Sequence, residues 1–123
     1  MIAENKPILI FPAGMPRALE FLQKALGDGQ QIIGASSLSS DPARGRYPTW
    51  IHLPYITDPE FDNALKRAVT AHNIGWIYTP HLVVWNYLNR VLKNIAPGVS
   101  LINPSPANAE VQGYRIAMDH AHA

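Results

Sequence analysis

The chain has 123 residues and a mass of 13.6 kDa, which is enough for one domain with a hydrophobic core and too short for two. Hydrophobic residues make up 47% and charged residues 15%, a composition that excludes a disordered chain, and no apolar run reaches the roughly 20 residues needed to span a bilayer. The absence of cysteine excludes disulfides, thiolate nucleophiles and cysteine-ligated zinc, and a net charge of +1 gives no excess of positive charge for binding nucleic acid.

The first third of the chain predicts a strand, a helix and a second strand. Residues 8–11 form a continuous apolar run closed by Pro12, as in a strand that is buried on both faces. Pro16 suits the first position of a helix whose apolar residues recur at spacings of three and four up to Leu26. Residues 31–36 predict the second strand.

A polar loop, rather than a helix, follows the second strand. It covers residues 37–48 and leads into a short third strand, predicted at residues 49–53. Asp58 is then an N-cap candidate, Pro59 suits the first helical position and Glu60 places an acid in the first turn. This pattern predicts that the second helix begins at Pro59.

The remaining sequence predicts two more strands and two more helices. Residues 75–79 predict a fourth strand, after which Thr79 and Pro80 start a third helix that continues to Ile95. Residues 99–103 predict the fifth strand. Residues 107–123 carry apolar residues at helical spacing and predict a C-terminal helix.

Strands that alternate with helices predict an α/β fold. We expect a three-layer Rossmann-like sandwich with a mostly parallel five-stranded sheet in the order 3-2-1-4-5. Residues 1–106 are assigned to this domain and residues 107–123 to the C-terminal helix. Ligands bind such sheets beyond the carboxyl ends of the strands, at the switch between strands one and four. The loops at that edge are therefore the candidate site: 12–17, 36–48, 54–58, 79–82 and 103–108.

Familiar motifs for cofactors and catalysis are absent from the sequence. A dinucleotide fingerprint needs three glycines after the first strand, whereas residues 12–17 contain one glycine and two prolines. The second strand ends in Ser36 and Ser37 rather than in the acid that binds a ribose. The sequence contains neither a P-loop nor a Gly-x-Ser-x-Gly motif. We therefore predict no catalytic residue, no metal site and no cofactor bound by this chain.

Three arginines and one histidine are the candidate binding residues from chemistry alone. Arg17 lies in the first turn of a predicted helix, where a cation opposes the helix dipole unless an anion binds beside it. Arg44 and Arg46 could join it from the loop after the second strand, and His81 follows the fourth strand. These residues predict a small anionic ligand. The alternative is that the arginines are solvated and His81 is a capping or exposed residue.

Five motifs stand in an order typical of one family. They are the small-residue turn at 13–16, Asp41-Pro42 after the second strand, the Asp-Pro-Glu-Phe motif at 58–61, the segment 73–80 at the fourth strand and Asn-Pro-Ser-Pro at 103–106. Together they resemble the pre-ATP-grasp domain, also called the biotin carboxylase N-terminal-like domain, of the ATP-grasp superfamily.

The resemblance implies a role in a carboxylate–amine or carboxylate–thiol ligase. ATP and Mg²⁺ would be held by an ATP-grasp domain missing from this sequence and supplied in cis or in trans, so this chain alone would be inactive. Its own role would be to line the substrate pocket. With the arginines included, the expected contacts to a small anionic substrate are Ala13, Gly14, Met15, Arg17, Ser36, Ser37, Arg44, Arg46, Thr79 and His81.

The sequence also leads to expectations about the cellular location of the protein, its partners and its possible functions other than that of a ligase. No signal peptide is recognisable, so we expect a cytoplasmic protein that binds neither nucleic acid nor membrane, with a homodimer as one option. A second possible function is a standalone Rossmann-like module that binds a small anionic metabolite at the same edge of the sheet. A third is a small Rossmann-like enzyme, for which the sequence offers no nucleophile and no acid–base pair.

Overall fold

The computed structural model describes residues 6–102, so the predicted C-terminal helix and the motif at 103–106 lie outside the described residues. Three α-helices and one 3-10 helix connect five strands within this range. The strands are β1 (Ile8–Ile10), β2 (Ile32–Ser36), β3 (Trp50–His52), β4 (Trp76–Tyr78) and β5 (Ser100–Leu101). The helices are α1 (Pro16–Gly27), α2 (Phe61–His72) and α3 (Leu82–Ile95), and the 3-10 helix is Pro42–Arg46.

The five strands form one parallel sheet in the order β3-β2-β1-β4-β5. Leu9 at the centre of β1 is opposite Ile33 of β2 and Ile77 of β4. The edges of the sheet are β3, with three residues, and β5, with two. The predicted fold class and strand order are therefore confirmed.

Each face of the sheet has its own hydrophobic core. On one face, Ile8 and Ile10 pack with Phe21 of α1 and with Tyr47, which follows the 3-10 helix. On the other face, Leu9 packs in a cluster supplied mainly by α2 and α3. Because successive residues of a strand point to opposite faces, the apolar run of β1 serves both cores. The result is a three-layer sandwich with α2 and α3 together on one side.

Helices α2 and α3 begin two to three residues later than predicted. The Asp58 carboxylate accepts the Glu60 backbone amide at 2.8 Å, and the Asp58 carbonyl accepts the Phe61 amide at 3.0 Å, which forms a turn before α2. Before α3, the Thr79 hydroxyl accepts the His81 amide at 3.1 Å and His81 stays extended. Such local side-chain hydrogen bonds compete with the helical conformation.

The loop after β2 contains one short helix that the sequence did not predict. The Asp41 side chain accepts the Ala43 backbone amide at 2.9 Å and so caps the 3-10 helix. Ala43 is buried against the α1 face of the sheet, whereas Arg44 and Arg46 are exposed. The loop is therefore fixed at both ends of this helix, by Asp41 and by the buried Tyr47.

Candidate ligand-binding site

A cavity of about 540 Å³ lies at the carboxyl edge of the sheet. Its walls are formed by the segments that follow β1, β2 and β3 and by the start of α3. Within residues 6–102 the lining residues are Phe11, Pro12, Gly14, Met15, Ser36, Ser37, Leu38, Asp41, Pro42, Tyr55, Ile56, Thr57, His81, Val83 and Val84. Apolar walls with a few polar groups, at this edge of a parallel sheet, are typical of small-molecule sites.

Tyr47 fixes the wall that follows β1. Its ring lies flat against the backbone of Gly34, where a Cβ atom would come within 2.5 Å of the ring carbon Cδ2. Its hydroxyl donates to the Ala13 carbonyl at 2.7 Å, and its ring meets Trp50 edge-on at 5.4 Å between centroids. Burial, with a smaller contribution from Asp41, raises the pKa of Tyr47 well above its usual range, so the hydroxyl remains a donor. One side chain thus joins the turn after β1 to the loop after β2.

Asp41 lies against the same turn from inside the cavity. A Cβ atom on Gly14 would come within 2.8 and 2.9 Å of the two carboxylate oxygens, so only glycine lets this carboxylate approach so closely. Asp41 is the acidic residue of the lining among residues 6–102, and no lysine or arginine of that range lines the cavity. The described wall is therefore acidic rather than basic.

His81 lines the cavity and carries a buried ring nitrogen without a partner. It occupies the N-cap position of α3, where its side chain makes no capping hydrogen bond. Its Nδ1 atom is buried and has no hydrogen-bond partner. Because buried polar atoms are almost always paired, this nitrogen is an exception within residues 6–102.

The two serines at the end of β2 are placed differently from each other. Ser36 is buried, and its hydroxyl accepts the Leu38 backbone amide at 3.1 Å. The Ser37 carbonyl lies 3.3 Å from Nε2 of the exposed His52 on the edge strand. Both serines line the cavity, and the Ser36 hydroxyl retains a proton to donate.

The structure brings five of the ten predicted site residues to this cavity. Gly14, Met15, Ser36, Ser37 and His81 line it. The other five are absent from the lining: Ala13, Arg17, Arg44, Arg46 and Thr79.

The five outlying residues have clear places elsewhere. Ala13 and Thr79 are fully buried, and the Ala13 carbonyl accepts the hydrogen bond from the Tyr47 hydroxyl. Arg17 is exposed at the start of α1, near enough to Tyr78 for its charge to oppose the burial that raises the pKa of Tyr78 to about 12. Arg44 and Arg46 are exposed on the 3-10 helix. Their roles as binding residues stay predictions.

Sequence reasoning missed several lining residues. Asp41 was noted only as part of a motif, although an Asx residue before proline is a signal for a cap, and its position after β2 put it at the ligand edge. Tyr55 and Thr57 lie in a loop that was predicted to belong to the site, but no motif singles them out. Val83 is exposed, in the first turn of α3, where helical periodicity cannot show that it borders a cavity.

Residues 6–102 contain no group of three or more histidine, cysteine, aspartate or glutamate side chains placed to hold a metal ion. None of the helices in this range has the length and apolar character needed to cross a membrane.

Comparison with solved structures identifies the architecture. Biotin carboxylase from Campylobacter jejuni matches 90% of this chain with a TM-score of 0.57 and 17% identity, and glycinamide-RNase-transformylase T from Mycobacterium tuberculosis matches 95% with a TM-score of 0.57 and 14% identity. The chain has a pre-ATP-grasp-like fold. At such low identity the likeness concerns the fold alone, and it confirms the resemblance seen in the sequence at that level.

The pre-ATP-grasp-like fold is a variant of the Rossmann architecture, which serves other chemistry as well. A reductase engineered to attenuate substrate inhibition matches 78% of the chain with a TM-score of 0.60 and 14% identity. The chain spans 25%, 30% and 36% of the lengths of the biotin carboxylase, the transformylase and the reductase. No family model matches the sequence, and the search of curated proteins found no match. The fold alone is therefore compatible with several functions, and the site distinguishes between them.

Proposed function

We propose that this chain is the substrate-binding domain of an ATP-grasp ligase and is inactive by itself. The observation that carries the proposal is the cavity of about 540 Å³ at the carboxyl edge of the sheet. Its volume suits a small metabolite, its walls are mainly apolar, and its polar groups converge from three loops and the start of α3.

The polar groups of the cavity support binding rather than catalysis by this chain. A serine nucleophile needs a base within hydrogen-bond reach. The Ser36 hydroxyl instead accepts a backbone amide, and Nδ1 of His81 has no partner, so the described residues do not join these two side chains. The chemical step is therefore assigned to another domain.

The likeness in fold supports an ATP-grasp enzyme as the setting. Both ATP-grasp enzymes in the comparison are three to four times as long as the region this chain matches. In this proposal the remaining length corresponds to the domain that holds ATP and Mg²⁺, in the same polypeptide or in a partner. The biotin carboxylase structure is that of a beta-gamma-ATP complex, and in this proposal nucleotide binding belongs to the further domain.

A standalone binding module is the second candidate. It is favoured by the fact that residues 6–102 by themselves enclose the cavity on several sides. It would use the same polar groups without an ATP-dependent step.

The binding role can be tested by amide NMR on the chain. Benzyl alcohol, a small probe with an apolar body and one hydroxyl, should shift the amides of residues 36–38 and 81–84, whereas ATP–Mg²⁺ should shift none. Val83→Trp should abolish the benzyl alcohol shifts, because this exposed side chain borders the cavity. Leu82→Trp is the matched control, since Leu82 is also exposed in the same helical turn but does not line the cavity. Binding of ATP–Mg²⁺ at micromolar concentration would contradict the division of labour.

The ligase setting needs a separate measurement on the protein in its own cell. Mass spectrometry of the endogenous polypeptide and its stoichiometric partners should find an ATP-grasp sequence in one of them. Recovery of this chain alone, with benzyl alcohol binding intact, would favour the standalone module.

A further inference from the structure

The charge of the cavity wall is set by Asp41. Among residues 6–102, the ionisable side chains of the lining are those of Asp41, His81 and Tyr55, and Asp41 is the carboxylate. The three arginines predicted to attract an anion are exposed and lie outside the lining. Among residues 6–102 the lining therefore contains one carboxylate and no lysine or arginine.

Asp41 also occupies the place where this fold class binds phosphate. Dinucleotide-binding folds hold phosphate against the glycine turn between the first strand and the first helix. Here the two Asp41 oxygens lie 2.8 and 2.9 Å from the position of a Cβ atom on Gly14, in that turn. Pro16, the first residue of α1, has no amide hydrogen to offer an anion. The chain thus places its own anion where a phosphate would bind.

The Asp41 carboxylate retains capacity for a ligand. Its Oδ1 atom accepts the Ala43 amide at 2.9 Å, which holds the side chain in place. An ionised carboxylate offers about four acceptor sites and no donor. A ligand group that donates hydrogen bonds therefore fits beside it, and an anionic group does not.

His81 is the second candidate contact, after Asp41. Its buried Nδ1 atom lacks a partner and belongs to the start of α3, whereas Asp41 follows β2. The two polar groups come from different segments of the wall, with apolar side chains such as Val84 and Phe11 also in the lining.

From these observations we propose that the cavity binds a small amphipathic molecule through a non-anionic hydrogen-bond donor, best a protonated amine, with Asp41 and His81 as its polar contacts, and that it rejects phosphates and carboxylates. The proposal rests on the proposed binding function and adds the ligand class. It differs from the anionic ligand predicted from the arginines.

Three probes of one shape test the ligand class. Benzylammonium, benzyl alcohol and benzoate share an aromatic ring and differ in charge. Their dissociation constants are measured at pH 8, above the range in which histidine side chains ordinarily ionise, from amide shifts at residues 36–38 and 81–84. We expect benzylammonium to bind at least about tenfold more tightly than benzoate, with benzyl alcohol between them, and the preference to shrink at high salt. Benzoate binding as tightly as benzylammonium would overturn the proposal.

Substitution of the two polar contacts locates the effect. Asp41→Asn keeps the shape of the side chain and the acceptor for Ala43, and it should bring the two charged probes to within about threefold of each other. Asp58→Asn is the matched control, because Asp58 caps a turn in the same way but lies outside the lining. His81→Phe should weaken benzyl alcohol about fivefold, the worth of one hydrogen bond.

The outcomes separate the two proposals. An unchanged preference in a folded Asp41→Asn variant refutes the role of Asp41, and an unchanged affinity in His81→Phe refutes that of His81. If Asp41→Asn fails to fold, the ranking of the probes on the unmodified chain still decides the ligand class. If none of the three probes shifts the cavity amides, the proposed binding function fails as well.

Discussion

Among the glycines near the cavity, Gly34 is the one at which replacement by alanine should lower the stability of the domain most. The new Cβ atom would lie 2.5, 2.7 and 2.9 Å from ring carbons Cδ2, Cγ and Cε2 of Tyr47. Carbon atoms in contact prefer about 3.5–4.0 Å, so the ring must retreat by about 1 Å. That movement lengthens the hydrogen bond from the Tyr47 hydroxyl to the Ala13 carbonyl, now 2.7 Å, beyond its useful range.

The expected destabilisation follows from these two effects. Overpacking a buried site costs about 1–3 kcal/mol, and the lost hydrogen bond adds about 1 kcal/mol. The alanine recovers about 0.4–1 kcal/mol by restricting the unfolded chain. The net loss of unfolding free energy for Gly34→Ala is therefore about 1–3.5 kcal/mol, or about 3–20 °C in the melting temperature of a domain of this size.

Urea denaturation and thermal melting measure this loss directly. Gly45→Ala is the matched control, because a Cβ atom there meets no atom within 4 Å, and it should change stability by less than about 0.5 kcal/mol. In a Tyr47→Ala background, Gly34→Ala should cost less than about 1 kcal/mol, since the ring that it strikes is gone. Equal losses for the two glycine variants, or a full loss that persists without the Tyr47 ring, would refute the proposed contact.

Three further predictions concern the core on either face of the sheet. Because burial raises the pKa of Tyr78 to about 12, against about 10 in the unfolded chain, its stabilising contribution is fully present below pH 10 and is lost between pH 10 and 12; Tyr78→Phe should remove this contribution from the urea-derived stability profile and leave that of the buried Tyr47, and an unchanged profile would contradict the burial of Tyr78. Leu65→Ala, at a fully buried residue of α2, should cost about 2–5 kcal/mol in urea denaturation, against less than about 1 kcal/mol for the exposed Leu82→Ala, and similar losses would contradict the packing. Tyr47→Phe should cost about 1 kcal/mol in thermal melts through loss of its hydroxyl hydrogen bond, and a neutral result would show that the bond does not stabilise the turn.

The fold could be predicted well from the sequence because the strand and helix periodicities of the apolar residues, together with a few prolines, mark its elements. The apolar run at 8–11 became the central strand, with Leu9 and its neighbours dividing between the two cores. The starts of α2 and α3 were misplaced, since Asp58 and Thr79 bind backbone amides through their side chains. Such bonds depend on the local turn, which proline and cap patterns suggest but do not determine.

The position of the candidate cavity could be predicted from the sequence better than the chemistry of the side chains that line it. The carboxyl edge follows from the strand order, which is why Gly14, Ser36 and His81 lie in the lining of the cavity. Arg17, Arg44 and Arg46 are recognisable in the sequence, whereas the side on which they lie is not, so their absence from the lining could not be predicted. Asp41 reaches the cavity only because Gly14 leaves room for its carboxylate, a pairing of residues far apart in the chain.

The brevity of β3 and β5 has a consequence for how the protein behaves at high concentration. The unpaired backbone N–H and C=O groups of an edge strand can pair with a strand of another molecule. This tendency to aggregate grows with the number of exposed groups. Three residues on one side and two on the other offer little to such a template. Within the described residues, the growth of fibrils by strand addition therefore has little exposed strand edge on which to begin.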